Sequence, residues 1–146
     1  MYLLIGASSD IGLEIAKELV NYDDVILTYR NKKNIKKLKS KKYKIFYEKL
    51  ELTNTRNIDK FLKKYNKILN NIKFINLATT KADKLIYNIN NNDIENVFKV
   101  NVFSNIYFCK KLLSKMIQQK YGRFIFFTST RASRGDIGIS LYSSSK

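Results

Sequence analysis

Short apolar runs alternate along the chain with longer stretches in which apolar positions recur every three or four residues. Continuous apolar runs suit strands buried on both faces, and the 3.6-residue recurrence suits helices with one covered side. The alternation therefore predicts repeated strand–helix units around a parallel sheet. Strands are predicted at Tyr2–Gly6, Val25–Tyr29, Tyr43–Leu50, Lys73–Ala78 and Arg123–Thr128. Ile11–Val20 reads as a helix with Ile11, Ile15 and Leu19 on its covered face and Glu14, Lys17 and Glu18 toward solvent. Further helices are predicted over the Lys-rich stretch Asn31–Lys42, over Asp59–Leu69, where Phe61, Leu62, Tyr65, Ile68 and Leu69 keep helical spacing, and as one long helix from Asp93 to Gln119. Tyr121-Gly122 supplies its stop signal, and the Asn-rich patch Asn88–Asp93 reads as a loop.

Composition narrows the class. The 146 residues are 45% hydrophobic and 13% aromatic, enough for one core and too few for two ordinary domains, so residues 1–146 read as a single domain. No apolar run approaches the ~18 residues of a membrane span, and MYLLIGASSD lacks the basic start of a signal peptide. A soluble cytoplasmic protein without a membrane partner is expected. Cys109 is the single cysteine and histidine is absent, which excludes an internal disulfide, the usual zinc sites and histidine catalysis. No metal site is expected. Lys+Arg of 28 against Asp+Glu of 12 gives a charge of +16, but only 5 of the 28 are Arg. Base reading favours Arg, so the basicity reads as a solvated, compositionally biased surface and no nucleic-acid partner is expected.

Candidate chemistry sits at the strand ends. Gly6-Ala7-Ser8-Ser9-Asp10-Ile11-Gly12 joins the first strand to the first helix, where backbone N–H groups can hold a pyrophosphate. Gly6 permits the tight turn, Gly12 lets helix and strand pack closely, and Ser8 and Ser9 add hydroxyl donors; the alternative is an ordinary turn capped by Ser9 or Asp10. The second strand ends Thr28-Tyr29-Arg30, with no acid to accept from a ribose 2′-hydroxyl. Arg30, with Lys32 and Lys33 nearby, suits a 2′-phosphate and favours NADP(H) over NAD(H). Tyr142 and Lys146, four apart, would share a helical face on which the ammonium favours phenolate. Ser129 lies thirteen positions before Tyr142, and Asn101 lies in the predicted long helix.

In order and spacing these residues resemble the short-chain dehydrogenase/reductase family, in the short single-domain branch that includes 3-oxoacyl carrier-protein reductases. The glycine turn is similar to that family's TGxxxGxG, Glu51-Leu52 to its acid–aliphatic pair near adenine, Asn76-Leu77-Ala78-Thr79 to its NNAG, and Tyr142–Lys146 to its YxxxK. Asn101 and Ser129 match its helix asparagine and its serine. Ile5, Asp10, Leu77 and Thr79 depart from the pattern, and Asp10 is expected to point away as the helix cap.

The resemblance implies a Rossmann-like doubly wound parallel sheet whose C-terminal part is missing, because family members run about another hundred residues beyond the YxxxK lysine. Residues 1–146 alone are accordingly expected to be inactive. It further implies reversible hydride transfer between a nicotinamide and a carbonyl or alcohol carbon of a small molecule. Tyr142 would be the acid/base, Lys146 would lower its pKa and hold the nicotinamide ribose, Ser129 would bind the substrate oxygen, and Asn101 would hold a relay water. Gly6, Ser8, Ser9, Ile11, Gly12, Arg30, Glu51, Leu52, Asn76 and Ala78 would contact the dinucleotide together with Tyr142 and Lys146. An extended-branch nucleotide-sugar epimerase or dehydratase would place glycine at Ser9, and a noncatalytic dinucleotide- or nucleic-acid-binding protein would not need Ser129, Tyr142 and Lys146 together. The complete protein is expected to be a homo-oligomer, because Val100, Phe103 and Tyr107, with Val102, Ile106, Cys109, Leu113 and Met116, make the long helix apolar over a wide arc.

Overall fold

A computed structural model describes residues 1–31 and 38–146. Five parallel strands, β1 (Tyr2–Ile5), β2 (Val25–Tyr29), β3 (Ile45–Lys49), β4 (Lys73–Asn76) and β5 (Arg123–Phe126), form one sheet in the order β3-β2-β1-β4-β5. The middle strands are mainly apolar because both faces are covered. Leu3, Ile5, Ile26 and Phe74 face one core, and Leu4, Val25, Leu27 and Ile75 the other. This is the parallel sheet expected from the alternation, doubly wound as the resemblance implied.

Helix α1 (Asp10–Leu19) packs Ala16, followed by Val20, onto the second core, while α2 (Thr55–Tyr65) packs Ile58, Phe61 and Tyr65 onto the first. Asn54 starts α2 four residues earlier than its apolar spacing indicates, since its side chain accepts from Arg56 N at 2.9 Å. Ile68 and Leu69 fall in the turn beyond it. Ile11 does not face the core as expected. It is 63% exposed at the mouth of the first turn, and Gly12 and Ala16 take the buried stripe. Nor does Asp10 cap α1: Ser9 does, accepting from Gly12 N at 3.0 Å and leaving Asp10 exposed in the first turn, where its charge suits the helix dipole.

The predicted long helix is three elements: α3 (Asn91–Phe98), a π-helical turn (Lys99–Phe103) and α4 (Ser104–Gln118). Apolar periodicity runs through the turn unbroken, so the pattern conceals it. Val100, Phe108, Leu112 and Met116 face the sheet, whereas Phe103, Ile106, Leu113 and Ile117 are exposed. Tyr107 Oη donates to Asp59 Oδ2 at 2.7 Å and Lys111 pairs with Asp59 at 2.8 Å, fastening α4 to α2. Residues 38–42 are irregular, and the rest of the predicted helix at Asn31–Lys42, with Lys32 and Lys33, lies outside the described residues apart from Asn31, which is irregular as well. At the other sheet edge β5 is paired only with β4, and Ile125 and Phe126 are exposed. A short helix, α5 (Ser140–Ser144), ends the chain. No helix among the described residues is long and apolar enough to cross a membrane.

Candidate functional site

The carboxyl ends of β1, β2, β3 and β4 open into a cleft of about 280 Å³ at the point where strand order reverses about β1. Gly6 forms its floor at φ +87°, and a Cβ there would lie 2.8 Å from Ala78 N. Its N–H donates to Thr28 Oγ1 at 3.3 Å, and Ala7 N donates to Thr28 O at 2.9 Å, so the buried Thr28 anchors the turn to β2. Sequence reading missed Thr28, although a hydroxyl inside an apolar strand is itself a signal that a nearby backbone group needs a partner. A Cβ on Gly12 would collide with Gly6 O, so helix and strand approach as closely as expected of that glycine.

Ser8, Ser9, Arg30, Glu51, Leu52, Ala78 and Thr79 border the cleft with Gly6. Arg30 is exposed at the end of β2 and makes no ion pair among the described residues. Glu51 turns its carboxylate onto its own loop, accepting from Leu52 N at 3.0 Å and Thr53 N at 3.3 Å. Leu52 is buried against the first core. Asn76 is buried beneath the cleft rather than bordering it, accepting from Ala78 N at 2.8 Å and thereby shaping the loop after β4. Ile11 does not border this cleft.

A second cluster gathers at the ends of β4 and β5. Asn101, on the π-helical turn, accepts at Oδ1 from Thr80 N at 2.8 Å and Thr79 Oγ1 at 3.1 Å, and donates through Nδ2 to Thr80 O and to Ser145 Oγ, each at 2.8 Å. Ser145 Oγ in turn donates to Tyr142 O at 2.7 Å. Thr79, Thr80 and Ser145 were not expected at the site; their hydroxyl and backbone groups hold the buried Asn101 amide.

Lys146 lies just past α5 rather than within a regular turn of it, and its Nζ is 5.9 Å from the Tyr142 ring centroid. The same ammonium donates to Phe127 O at 2.8 Å, and partial burial pushes its pKa down. Thr128 Oγ1 donates to Lys146 O at 3.1 Å, tying this end to β5. Ser129 Oγ accepts from Arg131 N at 3.2 Å and has no hydrogen bond to Tyr142, Lys146 or Asn101. The fold thus brings Asn101, Tyr142 and Lys146 into one connected group, with Ser129 on the adjoining turn.

A doubly wound parallel sheet with a glycine turn at its switch point defines a dinucleotide-binding α/β fold. A sequence model described as short chain dehydrogenase matches residues 1–146, and the chain belongs to that family. It is 32% identical over 148 residues to the 3-oxoacyl-[acyl-carrier-protein] reductase FabG of Buchnera aphidicola subsp. Baizongia pistaciae, covering 99% of this chain and 60% of that protein. The FabG protein of Rickettsia bellii is 30% identical over 146 residues, again covering 99% of this chain and 59% of the relative. The chain therefore spans about 60% of the length of the curated relatives it matches. In fold it superposes on a short-chain dehydrogenase from Sphingobium yanoikuyae in complex with NADPH, with a TM-score of 0.87, 20% identity, and coverage of 99% of this chain and 59% of that one. Serine dehydrogenase from Escherichia coli gives a TM-score of 0.83 at 22% identity, covering 99% of this chain and 69% of that one.

Proposed function

We propose that the complete protein is an NADP(H)-dependent oxidoreductase acting on a carbonyl or alcohol carbon, with 3-oxoacyl thioesters as the leading substrate class. Family membership and the names of its relatives support the reaction type. The observation that carries the cofactor reading is the cleft itself: a floor that tolerates no Cβ, a helix N-terminus beside it, and Arg30 where β2 ends with no carboxylate. These features fit a dinucleotide phosphate. Gly6, Ser8, Ser9 and Gly12 would hold the pyrophosphate, Arg30 the 2′-phosphate, Glu51, Leu52 and Ala78 the adenosine side, and Tyr142 and Lys146 the nicotinamide side, while Asn76 acts from beneath the cleft by shaping its loop and Ile11 stands clear of it.

When bound, the nicotinamide supplies or accepts the hydride. Tyr142 Oη moves the accompanying proton to or from the substrate oxygen. The Lys146 ammonium, 5.9 Å from the Tyr142 ring centroid, has two N–H bonds left after its contact with Phe127 O with which it would hold the nicotinamide ribose. Ser129 Oγ spends one lone pair on Arg131 N and keeps its own O–H for the substrate oxygen. Asn101 ties the turn bearing Tyr142 and Lys146 to the loop after β4, its side-chain amide fully engaged with Thr79, Thr80 and Ser145 and so leaving no position for the relay water that the resemblance implied. The exposed residues Phe103 of the π-helical turn and Ile106, Leu113 and Ile117 of α4 support a homo-oligomer, since an apolar stripe of this kind is ordinarily covered.

The test titrates the full-length protein with NADPH and NADH by nicotinamide fluorescence, then follows NADPH oxidation with ketones and 3-oxoacyl thioesters. One charge-assisted contact of about 1.4 kcal/mol gives NADPH a preference of about tenfold, which Arg30→Ala removes. Turnover disappears in Tyr142→Phe. Equal or tighter binding of NADH sinks the role of Arg30, and turnover that survives Tyr142→Phe sinks the reaction reading.

A further inference from the structure

We propose that Asn105 is a positioning residue of the active site, a role that rests on the oxidoreductase reading and that no motif assigns. The π-helical turn creates the need for it. In a regular helix the backbone N–H groups of residues 104 and 105 would serve the carbonyls of Val100 and Asn101. Here Ser104 N donates instead to Lys99 O, five residues back. Two side chains donate to carbonyls of this turn: Ser104 Oγ to Val100 O at 2.7 Å, and Asn105 Nδ2 to Asn101 O at 2.8 Å.

The other end of the Asn105 amide faces β4. Its Oδ1 accepts from Asn76 Nδ2, and Asn76 Oδ1 accepts from Ala78 N at 2.8 Å. A continuous hydrogen-bonded path therefore runs from Asn76 through Asn105 and Asn101 to Ser145, whose hydroxyl holds the Tyr142 carbonyl. Asn76, Asn101 and Ser145 are buried and Asn105 is half-buried, so most of the path lies out of solvent, where a lost hydrogen bond is costly. Only a side-chain amide of this length offers a donor to the Asn101 carbonyl and an acceptor to Asn76. A carboxylate lacks the donor and an aliphatic side chain lacks both. Asn105 thus sets the direction of the Asn101 backbone, and through Ser145 it sets where Tyr142 sits.

Two substitutions in the full-length protein test this. Asn105→Asp preserves shape and the acceptor to Asn76 but removes the donor to Asn101, and Asn105→Leu removes both at similar volume. Near-UV circular dichroism establishes that each variant is folded, and the near-isosteric Asp variant carries the test where Leu is not tolerated. Displacing a reacting group by about 1 Å costs on the order of 100-fold, so kcat is expected to fall at least tenfold in each. KM for NADPH is expected to rise by less than kcat falls, because Gly6, Gly12 and Arg30 lie on other elements and Tyr142 and Lys146 would meet only the nicotinamide end. Independently of turnover, the Tyr142 titration followed by ¹³Cζ-tyrosine NMR, assigned by its loss in Tyr142→Phe, should move in both variants. An unchanged Tyr142 titration with kcat within twofold of the parent overturns the proposal, as does an equal loss in kcat and in NADPH affinity. If the parent reduces no carbonyl while the Tyr142 titration still moves, the oxidoreductase reading fails and the positioning role stands. If the parent turns over and neither quantity responds, only the positioning role fails.

Discussion

Replacing Gly6 by alanine places a methyl group where the fold has no room for one. At φ +87° an L side chain costs about 1–2 kcal/mol through its clash with its own backbone. The added Cβ would also lie 2.8 Å from Ala78 N, 3.0 Å from Ala78 Cα and 3.2 Å from Leu77 C, all backbone atoms with no rotamer to yield. Relief requires moving the end of β1 away from the loop after β4, across the 2.9 Å bond from Leu77 N to Ile5 O. Such overpacking costs about 1–3 kcal/mol. Gly6→Ala should therefore lose about 2–5 kcal/mol in urea unfolding of the full-length protein. Because the proposed dinucleotide site includes the same turn, the stabilisation conferred by saturating NADPH should shrink as well. Gly135→Ala is the control: its Cβ meets nothing within 4 Å, so its midpoint should shift by no more than about 0.5 kcal/mol. A Gly6→Ala midpoint as close to the parent as the control's, with NADPH protection intact, refutes the reasoning.

Three other outcomes follow from the packing. Ile106→Lys with Ile117→Lys should convert the full-length protein to a monomer by light scattering; a parent that is already monomeric at micromolar concentration contradicts the oligomer. At Asp23, partial burial acts to raise the pKa but is outweighed by hydrogen bonds from the Met1 ammonium and Lys73, which hold it at about 2 against an ordinary 3.8. Its stabilisation is thus complete above pH 3.8 and lost as pH falls toward 2, so Asp23→Asn should flatten the pH dependence of urea stability across that window. Asn54→Ala should cost about 1 kcal/mol by uncapping α2, whereas an unchanged midpoint would mean that Asn54 does not set its start.

The strand–helix alternation was legible because β1, β2 and β4 are buried on both faces and so read as continuous apolar runs. The glycine turn was legible because close approach and a positive φ both demand glycine at Gly6. Other features escaped for identifiable reasons. Val97, Val100, Phe108 and Leu112 preserve helical spacing across the π-helical turn, so hydrophobicity alone cannot mark it. The signal lay in the polar residues on that inward face, Asn101, Ser104 and Asn105, which supply the bonds a wider turn needs. Ile11 misled because an apolar residue was assumed to seek the core, and here it stands in solvent at the helix entrance. Ser9 and Asp10 are both good caps by type, and only the backbone path decided between them.

The placement of β1 also sets a timetable for folding as the chain is made. β1 is synthesised before the strands that flank it yet lies in the middle of the sheet, paired on one side with β2 and on the other with β4. The β1–β2–β3 half can pair once Lys49 has emerged, but the second edge of β1 waits for Asn76. At about 5–20 residues per second that wait lasts on the order of 1–5 s. Throughout it the N–H and C=O groups of Tyr2–Ile5 on that side have no strand partner, and the segment is almost wholly apolar. Such an edge is a template for pairing with another nascent chain. The strand that leads into the glycine turn is consequently open to mispairing during translation until β4 arrives.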